Sequence, residues 1–540
     1  MSEVPTHQPR ALEMFITSKV IVALALLGAV PLCLYLGYEA ANGHPRVVLY
    51  PAVIILGLFL MFGLSHYLWV VAVGFIFLPG SIPGLPLPFR PAEMIFILLI
   101  VKFVIEQVIF RKKGILTGPM PDALLLFVFL SVLMFHGVSD RFAMRIFGSS
   151  VWGGRAYISI LLALAAYFVV MSMRVDPKTF RHLPGIVLGI ATFDFAIKLI
   201  TTLVPSTANT IFYFYSGVSF IGMTEVEMGG RWGFLGNYGY LLLLWSFSGT
   251  RLQEFVTGGK VVKALAFGLG ILCCLASGYR SSIAICIMML ACAGYRDFGL
   301  RGLLVVFPAG MVLALVIALQ SFVGLPKIVQ RGLTFLPAPW DYDVVADAKG
   351  SISFREEVAE EWFQNMFPKR PFLGRGFGLP EHEMMATLPF IQNTGETPWM
   401  TRNEAFVIGG HLHNGFLSVI DRFGLLGLIL FLAWTGAVVI RLVRYMKLSR
   451  GEPLDPPLQW LTIYLTTFTI CYFPGALRVE SFLPDQLFLV ALFYSLFLSK
   501  YGSFKLKDVK RSEVWAEGSP PPAQSPPTQP HRPRIEYVTR

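Results

Sequence analysis

The sequence predicts an all-α polytopic integral membrane protein that crosses the bilayer about 12–14 times. Three observations carry this. The first is composition: 55% of the 540 residues are hydrophobic and 14% are charged, where a soluble domain carries roughly a quarter charged residues. The mean hydropathy is +0.63, and so much apolar surface does not fit inside a water-soluble core. The second is length. Apolar runs of about 18 residues or more recur, each long enough to cross about 30 Å of hydrocarbon. The third is charge placement, because Lys and Arg gather in the short loops that follow alternate runs.

The runs centre near residues 28, 55, 72, 100, 129, 164, 193, 243, 270, 288, 312, 432, 468 and 492. The first, about 20–37, lacks a small-residue cleavage site and reads as a transmembrane helix rather than a leader. With the N-terminus in the cytoplasm, the basic loops at 111–113, 174–181, 250–263, 295–301 and 441–450 all fall inside. The basic segment 500–511 does so too. The net charge of +11 is thus a matter of topology and calls for no nucleic acid. The six cysteines lie in or beside apolar runs and form no CxxC pair, so neither a disulfide framework nor a zinc spacing is indicated.

Four segments follow from this layout: N-terminal transmembrane helices at 1–222, a core at 223–440, C-terminal transmembrane helices at 441–511, and a tail at 512–540. The tail, with SPPPAQSPPTQPHRPR, is Pro-rich and expected to be disordered in the cytoplasm. The core contains the one long loop, 324–412, which alternation places outside. Its length exceeds what a connector needs and points to function. Within it SFREEVAEEWFQNM reads as helix and PKRPFLGRGFGLP as turns. No internal repeat is strong enough to suggest an inverted-repeat transporter.

The external face collects polar residues that an apolar protein has no packing reason to hold. Arg231 and Asn237 lie in GGRWGFLGN, Arg280 in SGYRSS, Arg331 and Arg355 in the long loop, and His411, His413 and Asn414 in HLHN. An arginine at the mouth of an apolar span is costly unless paired; it either snorkels to lipid headgroups or uses its planar fork on a diphosphate or carboxylate. A histidine near neutral pKa can take a proton from an attacking hydroxyl, and it can equally pack and cap at the interface. Asn414 could orient a sugar. Asp421, eight residues beyond His413, would share its face if the helix were continuous. A metal reading can draw on His411, His413, Asp421 and Glu381-His382-Glu383, but no spacing matches a zinc pattern. GRGFG at 374–378 lacks the strand-to-helix setting of a nucleotide loop; its glycines suit backbone amides approaching a ligand or the membrane. Trp340 and Trp362 can stack on sugar rings or pack the loop, with packing the stronger expectation.

In order, GGRWGFLGN at 229–237, SGYRSSIAI at 277–285, SFREEVAEEWFQNMFPKRPFLGRGFG at 353–378 and HLHNGFLSVIDRFGLLGLILF at 411–431 resemble the O-antigen ligase and Wzy-type polysaccharide polymerase superfamily. The resemblance covers about 200 residues; the first 220 match only as hydrophobic spans. It implies a GT-C-type membrane glycosyltransferase in a bacterial inner membrane, working on the periplasmic or external face. The implied donor is a glycan on undecaprenyl pyrophosphate. The acceptor would be a lipid A core sugar for a ligase or another lipid-linked glycan for a polymerase. No cofactor, nucleotide or metal is implied. Carried onto this sequence, His413 is the general base and Arg280 and Arg231 hold the diphosphate, with Arg355 and Arg331 as secondary grips on pyrophosphate or glycan. His411, Asn414 and Asn237 are substrate-binding candidates from the residues themselves, and the resemblance gives His411 no role. The turn departs from the family's usual SxSR-Gly in having Tyr279 before Arg280.

Two readings of other classes stand beside this. A transporter or flippase for lipid-linked glycan would place charges near the membrane midplane, where Asp194 and Lys198 lie one helical turn apart. A non-catalytic scaffold of a polysaccharide assembly complex would make no use of His413.

Overall fold

The computed structural model describes residues 57, 68–78, 90–108, 122–144, 147–172, 177–208, 211, 232–391, 401–450, 452, 454–474 and 478–502. The predicted spans centred at 28 and 55, Arg231 and the 512–540 tail lie outside them. The described chain is mostly helical, as the sequence requires. Its main elements are α1 (Leu68–Ile76), α2 (Pro91–Val108), α3 (Ala123–Ser139), β1 (Val151–Trp152), α4 (Gly154–Ser172), α5 (Leu183–Leu203), α6 (Gly233–Phe247), α7 (Val261–Ala276) and α8 (Arg280–Phe298). There follow α9 (Val306–Val323), α10 (Lys327–Leu333), α11 (Tyr342–Asn365), β2 (Leu379–Pro380), α12 (Glu381–Ile391), α13 (Arg402–Ile408), α14 (Gly415–Leu448), α15 (Pro456–Tyr472) and α16 (Val479–Tyr501).

Each predicted centre within the described residues falls on one of these helices. By length and composition, five helical segments among them are long and apolar enough to cross a membrane: Gly154–Ser172, Lys178–Leu203, Arg280–Leu304, Gly415–Leu448 and Val479–Tyr501. The others are shorter or, like α2 with Glu93, Lys102 and Glu106, more charged. A helix suits such a span because it satisfies its own N–H and C=O groups in lipid.

One core joins the N- and C-terminal parts of the chain. The last helix, α16, packs along α4 and is the most deeply covered of the five long spans. Phe96 of α2 meets Phe488 of α16, and Phe129 of α3 meets Phe423 and Phe431 of α14, at centroid distances of 4.9, 4.9 and 6.3 Å. Helices α6 and α7 approach so closely that a Cβ on Gly239 would lie 2.8 Å from the Gly270 carbonyl oxygen. Small residues at such crossings let backbones touch.

The long loop is largely helical. α10, α11, α12 and α13 form a cap over one end of the bundle, with α11 packed against α13. It has a small core of its own built on Val358, Trp362, Val407, Leu412 and Leu417. The cap is tied to the N-terminal part of the chain by the antiparallel pairing of β1 with β2, Val151 opposite Pro380 and Trp152 opposite Leu379. The opposite end of the bundle carries separate polar clusters, among them Arg296 with Asp297 and the Phe247 and Thr250 carbonyls, and Lys500 with Glu452.

Candidate active site

The site rests on a clasp between the loop and α14. Helix α14 is broken at Gly424, whose φ of 69° and ψ of −172° are not helical. Across the break, Leu425 N–H donates to Pro371 O (2.9 Å) and Leu426 N–H to Phe372 O (3.1 Å). Before it, Arg375 N–H donates to Asp421 O (2.9 Å) and Gly376 N–H to Arg422 O (3.0 Å). The two backbones lie so close that a Cβ on Gly424 would stand 2.1 Å from Phe372 O, and one on Gly374 would stand 2.6 Å from Gly424 N. Glycine is the residue that tolerates both the positive φ and the approach. The glycine-rich turn therefore spends its amides inside the protein. That corrects the expectation that they face a ligand or the membrane.

Asp421 anchors the clasp. Its buried carboxylate accepts from Trp362 Nε1 at 2.9 Å, from Arg375 Nε at 2.9 and 3.0 Å, and from Arg375 Nη2 at 2.9 Å. Arg375 Nη2 also donates to Val407 O at 2.7 Å, and Arg422 Nη1 to Gly376 O at 3.0 Å. A buried carboxylate with a full set of charge-assisted donors is stable where an unpaired one would not be. Asp421 thus serves the scaffold. The expectation that it shares a face with His413 fails because His413 lies outside the helix, so the helical phase does not extend back to it. Trp362, buried and bonded to Asp421, packs the loop; Trp340 donates to Leu336 O at 2.8 Å.

His413 sits just above this clasp. Its φ of 50° is left-handed, unusual for a residue with a Cβ. The imidazole lies near-parallel to the Phe406 ring, centroids 5.9 Å apart at 27°, and edge-on to Phe354 at 6.3 Å. Arg402 covers the same two rings, 4.8 Å from the Phe354 centroid and 5.7 Å from that of Phe406. Burial, then the positive charges of Arg355 and Arg478, hold the His413 imidazole below its usual pKa. His411 is pushed further, down to about 3, by burial first and then by Arg478, His413 and Arg422. Arg478 reaches the His411 ring directly. Burial and the surrounding cations thus favour the neutral form of both imidazoles. Asn414 caps α14, its side-chain oxygen accepting from Phe416 and Leu417 N–H at 2.9 and 3.2 Å. Asn and other short polar residues favour this position.

The remaining predicted residues are distributed around this centre. Arg280 opens α8 and donates to Thr334 Oγ1 at 2.8 Å. Arg331 on α10 is paired with Asp347 on α11. Arg355 lies eight residues beyond Asp347 on α11, roughly 12 Å along the helix. α11 therefore connects the Arg280–Arg331 corner to His413. Asn237 accepts from Tyr240 OH at 2.8 Å and lines a separate cavity of about 370 Å³ with Arg90, Asp194 and Asp485. Asp194 pairs with Lys198 at 2.7 Å within α5. Among the described residues no group of three His, Cys, Asp or Glu side chains could hold a metal ion, and Cys273, Cys274, Cys286, Cys292 and Cys471 are free.

The N-terminal part of the chain contributes residues that the sequence reading passed over. His136 Nε2 lies 2.6 Å from Leu373 O. Tyr157 OH donates to Asp140 Oδ2 at 3.0 Å and accepts from Phe377 N–H at 3.1 Å. Arg478, just ahead of α16, was also missed. The available signal was the same for all: a polar residue at the outer end of an apolar run, as in HGVSDR and RVESF.

Comparison with protein families matches residues 265–432 to the model described as O-antigen ligase. That segment runs from α7 into α14 and contains Arg280, the whole cap, His411 and His413. No curated protein matches the chain.

Proposed function

We propose that this membrane-integral protein, whose residues 265–432 match the model described as O-antigen ligase, is a glycosyltransferase of cell-surface polysaccharide biosynthesis. On this reading it adopts a GT-C-type architecture in the bacterial inner membrane, with its site on the external face. It moves a glycan from undecaprenyl pyrophosphate to a lipid A core sugar or to another lipid-linked glycan. The observation that carries the proposal is His413: a histidine in a left-handed backbone conformation, held neutral beside Arg355 and Arg478 where the cap meets the bundle. Strained conformations of this kind persist where surrounding structure fixes them, and they concentrate at functional sites.

The chemistry then runs as follows. A hydroxyl oxygen of the acceptor attacks the anomeric carbon while His413 takes its proton. The bond from that carbon to the diphosphate oxygen breaks, and the lipid diphosphate leaves with the electron pair. Arg280 and Arg231 hold its charge, as preorganised cations do for developing oxyanions. Attack opposite the leaving group inverts the anomeric centre. Arg355, Arg331 and His411 line the approach, Asn414 fixes the start of α14, and Asn237 meets the donor in its aromatic cavity.

A transporter of lipid-linked glycan is the second reading, and the Asp194–Lys198 pair beside that cavity favours it. Purified protein in lipid nanodiscs, given undecaprenyl-pyrophosphate glycan and candidate acceptors with EDTA and no nucleotide, decides between them. The enzyme reading expects a glycosylated acceptor and released undecaprenyl pyrophosphate. Donor binding without product for any acceptor would move the transporter ahead.

A further inference from the structure

A second cavity, of about 300 Å³, opens between the cap and the N-terminal part of the bundle. Its walls include Asp140, Met366, Lys369, Arg370 and Glu383, with Asp421 at its edge. Asp421 and Arg375 are consumed by the clasp. Lys369 and Arg370 are not: both are exposed, and neither side chain has an ion pair or hydrogen bond among the described residues. Glu383 is close enough to act electrostatically on Arg375, and Asp140 keeps a carboxylate at the wall beside Gly376 and Gly378. One small cavity thus offers unpaired cations together with carboxylates.

That pairing suits a particular ligand chemistry. Carboxylates accept hydrogen bonds from vicinal hydroxyls. An arginine fork and an ammonium take an anionic oxygen group. The volume is at the small end of ligand pockets, right for a sugar unit and too small for a polyprenyl chain. Ile420, in the wall, is five residues beyond Gly415, the first residue of α14, roughly 8 Å along the helix from the end that His413 precedes. We infer that this cavity is a sugar subsite for the glycan being joined, selecting a unit that carries an anionic group, phosphate or carboxylate. The inference rests on the glycosyltransferase reading for its purpose, though binding can be measured without transfer. Phe372 and Phe147, exposed at 70% and 57%, and half-exposed Trp152 stand nearby. Aromatic residues of this kind mark membrane interfaces, so a lipid headgroup phosphate is the competing source of the same chemistry.

The test uses full-length protein in phosphatidylcholine nanodiscs and saturation-transfer NMR. The probes are glucose 6-phosphate, methyl glucuronide and methyl glucoside. The wild type should bind either or both anionic sugars at least tenfold more tightly than the neutral one; which of the two binds names the group. Lys369→Gln/Arg370→Gln should lose that preference, and Glu383→Gln should weaken all three. Lys369 and Arg370 lie at the surface outside the clasp, so the double variant leaves it intact. Equal binding of charged and neutral sugars, or an unchanged preference in the double variant, overturns the inference. Displacement of glucose 6-phosphate by phosphatidylglycerol placed in the nanodisc also overturns it and assigns the pocket to lipid. Sugar binding that persists in a protein without transferase activity would remove the proposed reaction and leave the subsite standing.

Discussion

At the scale of single residues, the proposed reaction requires His413 to stay both strained and unprotonated. Its backbone conformation costs about 1–3 kcal/mol, and the capped start of α14 and the Phe354–Phe406 box hold it there. The cations beside it then set its proton affinity. A folded pKa below 6.5 means that the neutral, base-competent form persists as pH falls below the ordinary histidine value. The acid limb of the transfer rate should therefore lie below pH 6.5. Arg355→Gln removes one positive neighbour, so the limb should move up towards 6.5 while the rate at pH 8 changes less. A pH–rate profile of both proteins checks this, and an unmoved limb would show that Arg355 does not tune the histidine. The sequence singled out HLHN as polar residues at the mouth of an apolar run, with packing and capping as the equal alternative, and Asn414 does cap α14. Arg478 was not singled out. It reaches His411 across 67 residues of chain, and no local pattern encodes such a pairing.

At the scale of elements, the informative unit is the clasp between 371–376 and 421–426. Sequence patterning found both halves as turn and helix. It could not find their interlock, since a helical periodicity read through Gly424 predicts one unbroken helix. The break follows from the approach of the two backbones. Gly424→Ala places a Cβ on the Phe372 carbonyl oxygen at a positive φ and should cost about 3 kcal/mol. Thermal unfolding in detergent should show a clearly lowered midpoint and loss of the cap's protection from protease. An unchanged midpoint would mean that the clasp is not tight. The glycines of this turn looked suited to binding a ligand because glycine loops serve both purposes; where their amides point is a tertiary fact that spacing does not carry.

At the scale of the molecule, hydrophobic runs sufficed to place the described apolar helices outside the cap, because in lipid the backbone leaves few other solutions. They did not reveal that α16 lies in the core with α4, or that His136, Asp140 and Tyr157 fasten the cap from the N-terminal part of the chain. Contacts between distant apolar helices look alike from sequence, whichever helices are paired. The resulting architecture sets a helical cap on one end of a helical bundle and puts a neutral histidine ringed by arginines at the seam. The central claim is that this seam performs glycan transfer with His413 as base. The most direct measurement is the single-turnover transfer rate of the purified wild type against His413→Gln, with undecaprenyl-pyrophosphate glycan and acceptor saturating. The account predicts a loss of at least 100-fold, within the range general-base catalysis supplies, with donor affinity unchanged. Equal rates from the two proteins would contradict it.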